Sequence, residues 1–316
     1  MDAALASGVA RVAVPATSAN LGPGFDALGL ALDLTDDLTA LITDGFHVQV
    51  SGEGAGEVPT GRLTTGKEHL VVASMLAAFD RMGVAHPEGI RLTCHNQIPH
   101  ARGLGSSSAA IVAGILLARE LAPGDGFDDD AALRLAAELE GHPDNVAPCL
   151  LGGFTIAWTG YGGARAVRLD PDPGVRPTIY VPEIRGLTSA ARTALPDTVP
   201  HEDAVFNAAR VALLVHALTR DPARLLEATE DRLHQPYRAP AMPQTATLVA
   251  RLRAARIPAV VSGAGPSVLA LIRQGDEEVA PPDGWCARSL SVSLTGARIL
   301  VPRHAEGDPV AAGPPS

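Results

Sequence analysis

The sequence predicts an α+β protein built as two domains. Strand-like apolar runs and helical periodicities mix in both halves, without the regular alternation of a doubly wound sheet. The 316 residues exceed the usual size of one domain. A cluster of Pro, Gly and Asp at 170–177 interrupts the chain and reads as a boundary, so the expected domains are 1–170 and 171–316.

The elements follow in order. Residues 9–14 form an apolar run that reads as a buried strand, with the Gly-rich turn PATSANLGPGFD directly behind it. Residues 46–50 alternate apolar and polar, the period of a half-exposed strand. Gly and Thr dominate 52–66, expected as a loop. Residues 69–82 have helical spacing, with Leu70, Ala73, Leu76 and Ala77 on one face. A strand at 90–94 leads into the loop QIPHARGLGSSSA, which opens an apolar helix ending near Leu121. Asp128 to Asp130 can cap a helix reaching Glu140. A strand at 154–158 closes the first half. Beyond the boundary come a strand (178–181), a helix (203–218) and shorter helices near 222–233 and 245–256. Strands at 259–262 and 268–272 bracket SGAGPS; a last strand ends near Val301, and the tail after Pro302 is expected to fray.

Composition narrows the function. Aromatic residues are only 3%, so Ala, Val, Leu and Ile must build the core. The net charge of −10 and the lack of any basic block exclude nucleic acid and anionic membrane as expected partners. A single lysine, Lys67, stands against 24 arginines. Cys94, Cys149 and Cys286 form no CxxC pair, which argues against a disulfide framework or a zinc ribbon and for a cytoplasmic setting. Asp2 and the absence of a basic segment at the start argue against a signal peptide. The longest apolar stretch, 109–118, is too short for a bilayer, which needs about 20 residues.

The strongest local signal is Gly103-Leu104-Gly105-Ser106-Ser107-Ser108-Ala109, placed between a predicted strand and a long helix. Glycines let successive N–H groups turn inward, and the helix start adds unpaired donors and the positive end of its dipole. That is a cradle for phosphate, and the serine hydroxyls there can reach a metal or a phosphate oxygen. Other loop motifs fail on their letters. Residues 61–67 match a P-loop until Glu68 stands where Ser or Thr is needed. Residues 263–268 lack the third glycine of a dinucleotide fingerprint, and a strand follows them. None of Ser106, Ser107 or Ser108 sits in GxSxG.

Three segments, PATSANLGPGFDALGLAL, IPHARGLGSSSAA and SGAGPSV, resemble the GHMP kinases in order and spacing. The first is similar to the homoserine kinase version, as are GHPDNVAP and HQPYR, and the resemblance runs from about Val9 to Val301. It implies an N-terminal domain carrying an ATP loop and a ferredoxin-like C-terminal domain. It also implies phosphoryl transfer from ATP, with Mg²⁺, to the side-chain hydroxyl of L-homoserine, the step before threonine synthase. A homodimer is implied by resemblance alone.

The same resemblance assigns roles. The nucleotide loop comprises Pro99, His100, Ala101, Arg102, Gly103, Leu104, Gly105, Ser106, Ser107, Ser108 and Ala109. Ser107 and Glu140 become the metal ligands, with Glu138 the rival carboxylate. Arg192 and Arg238 take the substrate carboxylate and Asp26 its ammonium; Asn20, His142, Asp144, Asn145 and Thr188 line the pocket. A guanidinium fork suits a carboxylate, and an anion suits an ammonium. Asn145 stands near the acceptor hydroxyl, where some members carry an Asp base, and catalysis by positioning is expected. His69 precedes Leu70-Val71-Val72, where members often place Asn against adenine; its ring can stack on the base or donate one hydrogen bond. Two other readings stay open: a GHMP kinase for a mevalonate-like or sugar alcohol, and a nucleotide-binding regulator without turnover.

Overall fold

The first strand, β1 (Val9–Ala19), continues into the start of the segment expected as a turn, as far as Ala19. It pairs antiparallel with β2 (Leu28–Ile42), a 15-residue strand the sequence reading did not identify. Asp33, Asp36 and Asp37 lie in the middle of β2, and such residues disfavour strands locally. Tertiary bonds override that preference: the N–H groups of Gln97 and Ile98 donate to the Oδ1 of buried Asp36 at 2.6 and 2.9 Å. The computed structural model describes residues 8–122, 127–186, 188–273, 276 and 279–300.

β3 (Phe46–Gly52) follows, and β4 (Gly61–Leu63) forms inside the stretch expected as a loop. Helix α1 (Leu70–Met82) buries Val71, Val72, Met75, Leu76, Ala78 and Phe79. That face differs from the expected one, since Leu70 is 44% exposed. The helix is apolar around most of its circumference, so contact with α2 rather than periodicity sets its rotation. β5 (Ile90–Asn96) runs parallel to β3 and antiparallel to β2. Helix α2 (Ser106–Leu121) is buried along most of its length. Asp128 caps α3 (Asp129–Glu140) by accepting from the Ala131 N–H at 2.8 Å, as its sequence predicts. A short turn leads to α4 (Val146–Leu151), and β6 (Phe154–Gly160) pairs with β7 (Gly163–Leu169).

The chain then enters a second sheet through β8 (Val175–Pro182). Helices α5 (Thr188–Thr193), α6 (His201–Thr219), α7 (Leu225–Ala228), α8 (Gln235–Arg238) and α9 (Pro243–Ala254) separate it from β9 (Ala259–Val261). β10 (Val268–Arg273) and β11 (Trp285–Ser289) complete the antiparallel order β11-β8-β10-β9. Counted within this sheet the order is 4-1-3-2, the ferredoxin-like arrangement. β12 (Arg298–Ile299) returns to pair with β1 in the first sheet. The first sheet has order β12-β1-β2-β5-β3-β4, with β6 and β7 branching from β2. Helices α1 to α4 cover it, and a smaller core of Tyr180, Leu248, Leu252 and Val268 packs beneath α9. No helix among the described residues is long and apolar enough to cross a membrane. The tail after Pro302 lies outside the described residues.

Candidate active site

The link between β1 and β2 turns sharply because Asn20, Leu21 and Gly22 all take positive φ, as does Asp26. Asn20 stabilises this turn from both ends of its amide. Its Oδ1 accepts from the Asp26 N–H at 3.0 Å, and its Nδ2 donates to the Gly263 carbonyl at 2.8 Å. The turn is thereby tied to SGAGPS from the second sheet, and Asp26 is held at the surface between the two.

Gly103 and Gly105 are required by space as well as by positive φ. A Cβ on Gly103 would lie 2.3 Å from the Ser262 carbonyl oxygen, and one on Gly105 would lie 2.0 Å from Thr17 Oγ1. The Ser262 hydroxyl donates to the Gly103 carbonyl at 2.7 Å, so SGAGPS buttresses this loop too. Helix α2 starts at Gly105 with no side-chain cap. The first-turn N–H groups of a helix have no intrahelical acceptor and sit at the positive end of the dipole, ready for an anion.

Glu140, the last residue of α3, meets this helix start. Ser107 Oγ donates to Glu140 Oε2 at 2.5 Å, and Ser108 Oγ donates to Oε1 at 2.8 Å. The rival carboxylate, Glu138, instead pairs with Arg81 at the surface. The α3–α4 turn supplies His142, Asp144 and Asn145. His142 Nδ1 lies 2.5 Å from Asp144 Oδ1. Burial alone would lower the pKa of His142, but the bond and charge of Asp144 outweigh it and raise the value. The Thr17 hydroxyl donates to Asn145 Oδ1 at 2.8 Å, which leaves the NH₂ group as the donor that Asn145, a residue of the cavity wall, can offer.

Two cavities meet at the start of α2. A polar one of about 260 Å³ is lined by Asn20, Asp26, Gly103, Gly105, Ser106, Ser107, Glu140, His142, Asp144, Asn145, Arg192 and Arg238, among others. A more apolar one of about 340 Å³ is lined by Val58, Pro59, Leu70, Val71, His69 and His100, among others. Ala101, Ser106 and Ser107 line both. His69 is 6% exposed, and its Nδ1 has no hydrogen-bond partner among the described residues. Burial pushes its pKa down to about 4, so the ring is neutral at pH 7.

The polar cavity is rich in opposed charge. Arg192 grips Asp26 through two bonds, Nη1 to Oδ2 at 3.0 Å and Nη2 to Oδ1 at 2.8 Å, which raises the Arg192 pKa. Arg238 is 2% exposed. The Phe25 ring lies near both guanidinium groups, 5.8 Å from Arg192 Cζ and 5.2 Å from Arg238 Cζ.

Not every predicted residue reaches these cavities with its side chain. Leu104 and Ala109 are buried in the core, and Ser108 is buried against Glu140. Pro99 and Arg102 line a separate groove. The Arg102 guanidinium donates to the carbonyls of His100, Pro182 and Glu183, so its side chain clamps the loop to the second sheet and does not point to the α2 start. Thr188 begins α5, but its side chain lies outside the described residues. Sequence reading missed Thr17, Phe25 and Asp36. Thr17 and Asp36 occupy strand positions where only the cross-chain partner shows their role.

Asp36 lines the apolar cavity, and burial pushes its carboxyl up to about 6 against the two backbone donors that favour the charged form. The folded state therefore holds this proton more tightly than the unfolded chain. The charged group costs stability above pH 6, and the cost fades as pH falls from about 6 to 4. Asp36→Asn keeps Oδ1 for both amides and removes the charge. Thermal melts should show the variant stabilised at pH 8, by at most about 3 kcal/mol at 1.36 kcal/mol per pKa unit, and by roughly a third of that at pH 4.5. A wild-type chain more stable than the variant at pH 8 would contradict this.

Comparison with known proteins matches the family and the fold. Residues 69–153 match the model of the GHMP kinases N terminal domain, and residues 212–280 that of the GHMP kinases C terminal domain. A homoserine kinase of Streptomyces avermitilis is 55% identical over 92% of this chain and 95% of that protein. A homoserine kinase of Clavibacter michiganensis is 50% identical over 95% of this chain and 97% of that protein. The crystal structure of homoserine kinase from Cytophaga hutchinsonii superposes with a TM-score of 0.78 at 26% identity, covering 92% of this chain and 97% of that one.

Proposed function

The chain belongs to the GHMP kinase family, in its homoserine kinase branch, and on that premise we propose that it transfers the γ-phosphoryl group of ATP to the side-chain hydroxyl of L-homoserine. The hydroxyl oxygen forms the new bond to phosphorus, the bond from the γ-phosphorus to the bridging oxygen breaks, and O-phospho-L-homoserine, ADP and the hydroxyl proton are released. The observation that carries this reading is the helix start shared by an apolar and a charged cavity. A nucleotide base fits the first, an amino acid fits the second, and the phosphates lie between them on the α2 amides.

The acceptor is a zwitterion. Asp26 and Arg192 neutralise one another in a bidentate pair, and an α-amino acid carries the same two charges in one molecule. Its ammonium on Asp26 and its carboxylate on Arg192 and Arg238 exchange one ion pair for two. Asn20, His142 and Asp144 shape the wall, and the Asn145 NH₂ donates to the acceptor hydroxyl oxygen. A loose phosphoryl-transfer transition state needs little early deprotonation, so positioning substitutes for a base.

Among the described residues, no group of three or more His, Cys, Asp or Glu side chains is placed to hold a metal ion. The donors at the α2 start nevertheless suit Mg²⁺, which prefers hard oxygens and takes most of its ligands from phosphate and water. Ser107 Oγ and the Glu140 carboxylate would hold it there, and it would neutralise charge on the phosphates.

A coupled ADP-release assay with Mg-ATP across homoserine, mevalonate, shikimate and galactose tests the assignment. Turnover should be at least about 100-fold faster with homoserine than with the others, since polar groups built for a substrate reject analogues that leave them unpaired. A preference for mevalonate or a sugar would replace the substrate, and tight ATP binding without turnover would replace the enzyme by a regulator.

A further inference from the structure

His234 lies within HQPYR, four residues before Arg238, and is fully buried. Its Nε2 is 2.7 Å from the Gly22 carbonyl oxygen. A carbonyl only accepts, so Nε2 carries the hydrogen. Its Nδ1 is 3.1 Å from Arg238 Nη1, and a guanidinium only donates, so Nδ1 presents its lone pair. The two partners together select one neutral tautomer. Phe25 stacks on the ring with centroids 5.1 Å apart and holds its plane.

The Asp231 side chain is also fully buried, and it fixes the start of α8. Its Oδ1 accepts from the Leu233 N–H at 2.8 Å and the Asn207 Nδ2 at 3.0 Å. Its Oδ2 accepts from the N–H groups of His234 and Gln235 at 3.2 and 2.7 Å, and lies 3.5 Å from His234 Nε2. With α8 so anchored, positions 234 and 238 fall on one helix face. Arg238 Nε donates to the Ala191 carbonyl at 3.0 Å, while Nη2 has no partner among the described residues.

We propose that Asp231 and His234 form a buried positioning relay for Arg238, with the neutral imidazole accepting from the guanidinium so that Nη2 is presented to the acceptor carboxylate. The relay rests on the carboxylate role given to Arg238 above. The charged groups that face His234 are Asp231, Arg238 and, further off, Asp26. Burial lowers the pKa of His234, and an imidazolium would put two donors face to face against Arg238.

The test is kinetic. His234→Leu should raise the KM for homoserine about tenfold and leave kcat and the KM for ATP within twofold. His234→Asn, which offers an acceptor where Nδ1 stood, should recover most of that change. In an Arg238→Ala background, His234→Leu should add less than twofold, because both changes act through the same group. A folded His234→Leu enzyme with unchanged homoserine KM, an equal rise in both KM values, full additivity on Arg238→Ala, or an asparagine no better than leucine would each overturn the relay. Arg238→Ala with unchanged homoserine KM would instead remove the carboxylate role beneath it. Should His234→Leu fail to fold, ¹⁵N imidazole spectra of the unmodified protein decide. The neutral Nε2–H form at pH 7 is required; the Nδ1–H or charged form overturns the proposal.

Discussion

Replacing Glu140 by glutamine should lower kcat about 100- to 1,000-fold and leave the KM for homoserine within about threefold. The magnitude is that of removing one group from a preorganised electrostatic site. Glu140 owes its place to two local signals: Asp128 starts α3, and the helix ends after Glu140, so its carboxylate reaches the Ser107 and Ser108 hydroxyls. Glutamine preserves size and one acceptor oxygen but removes the charge that a divalent cation needs. The loss should therefore fall on the chemical step and on metal dependence rather than on the amino-acid pocket. Glu138→Gln is the internal control. Its carboxylate is 54% exposed and paired with Arg81, and such pairs contribute about 0–1 kcal/mol, so activity should be unchanged. Reversed effects in the two variants would exchange their roles, and a Glu140→Gln enzyme with full turnover would remove the ligand assignment.

Arg238→Ala should raise the KM for homoserine about 100-fold or more while the KM for ATP moves less than threefold. Breaking a buried charge pair costs about 3–5 kcal/mol, and tenfold in affinity corresponds to about 1.4 kcal/mol. Arg238 is nearly inaccessible and braced by Ala191 and His234, so its fork is held in place before binding, whereas the Arg192 side chain is 39% exposed and already occupied by Asp26. The two arginines consequently differ: burial and the neighbouring Arg192 lower the pKa of Arg238, which marks a cation with too little negative charge around it. A substrate carboxylate supplies that charge. Equal rises in both KM values would point to a disturbed fold instead and end the carboxylate assignment.

Local chemistry made much of this protein legible. The Gly-Ser run at 103–108 signals a helix start with free donors, and α2 begins at Ser106. The helix through Glu140 was readable from its aspartate cap. Strand β2 was not readable, because its central aspartates are poor strand formers until Gln97 and Ile98 donate to Asp36 from another part of the chain. The rotation of α1 was misread, since a helix apolar around most of its circumference offers more than one apolar face and its packing selects the one that is buried. In the site, the resemblance to the GHMP kinases, and not residue type or spacing, pointed to Asp26, Glu140, Asn145, Arg192 and Arg238, and the fold places them around one cavity. Arg102 belongs to the same loop, yet its side chain serves the junction of the two sheets.

The sequence by itself determined the Gly-Ser helix start, which depends on neighbours close along the chain, and it pointed to the family and to the residues of an amino-acid pocket through motifs that resemble the GHMP kinases. Only the tertiary structure decided which carboxylate faces the serines, which arginine is pre-braced and which is paired, and which way the Asn145 amide points. Those outcomes depend on partners such as Thr17, Gly22 and Gly263, brought within about 3 Å across more than a hundred residues of chain, and hydrogen-bond geometry at that range is invisible to any local pattern.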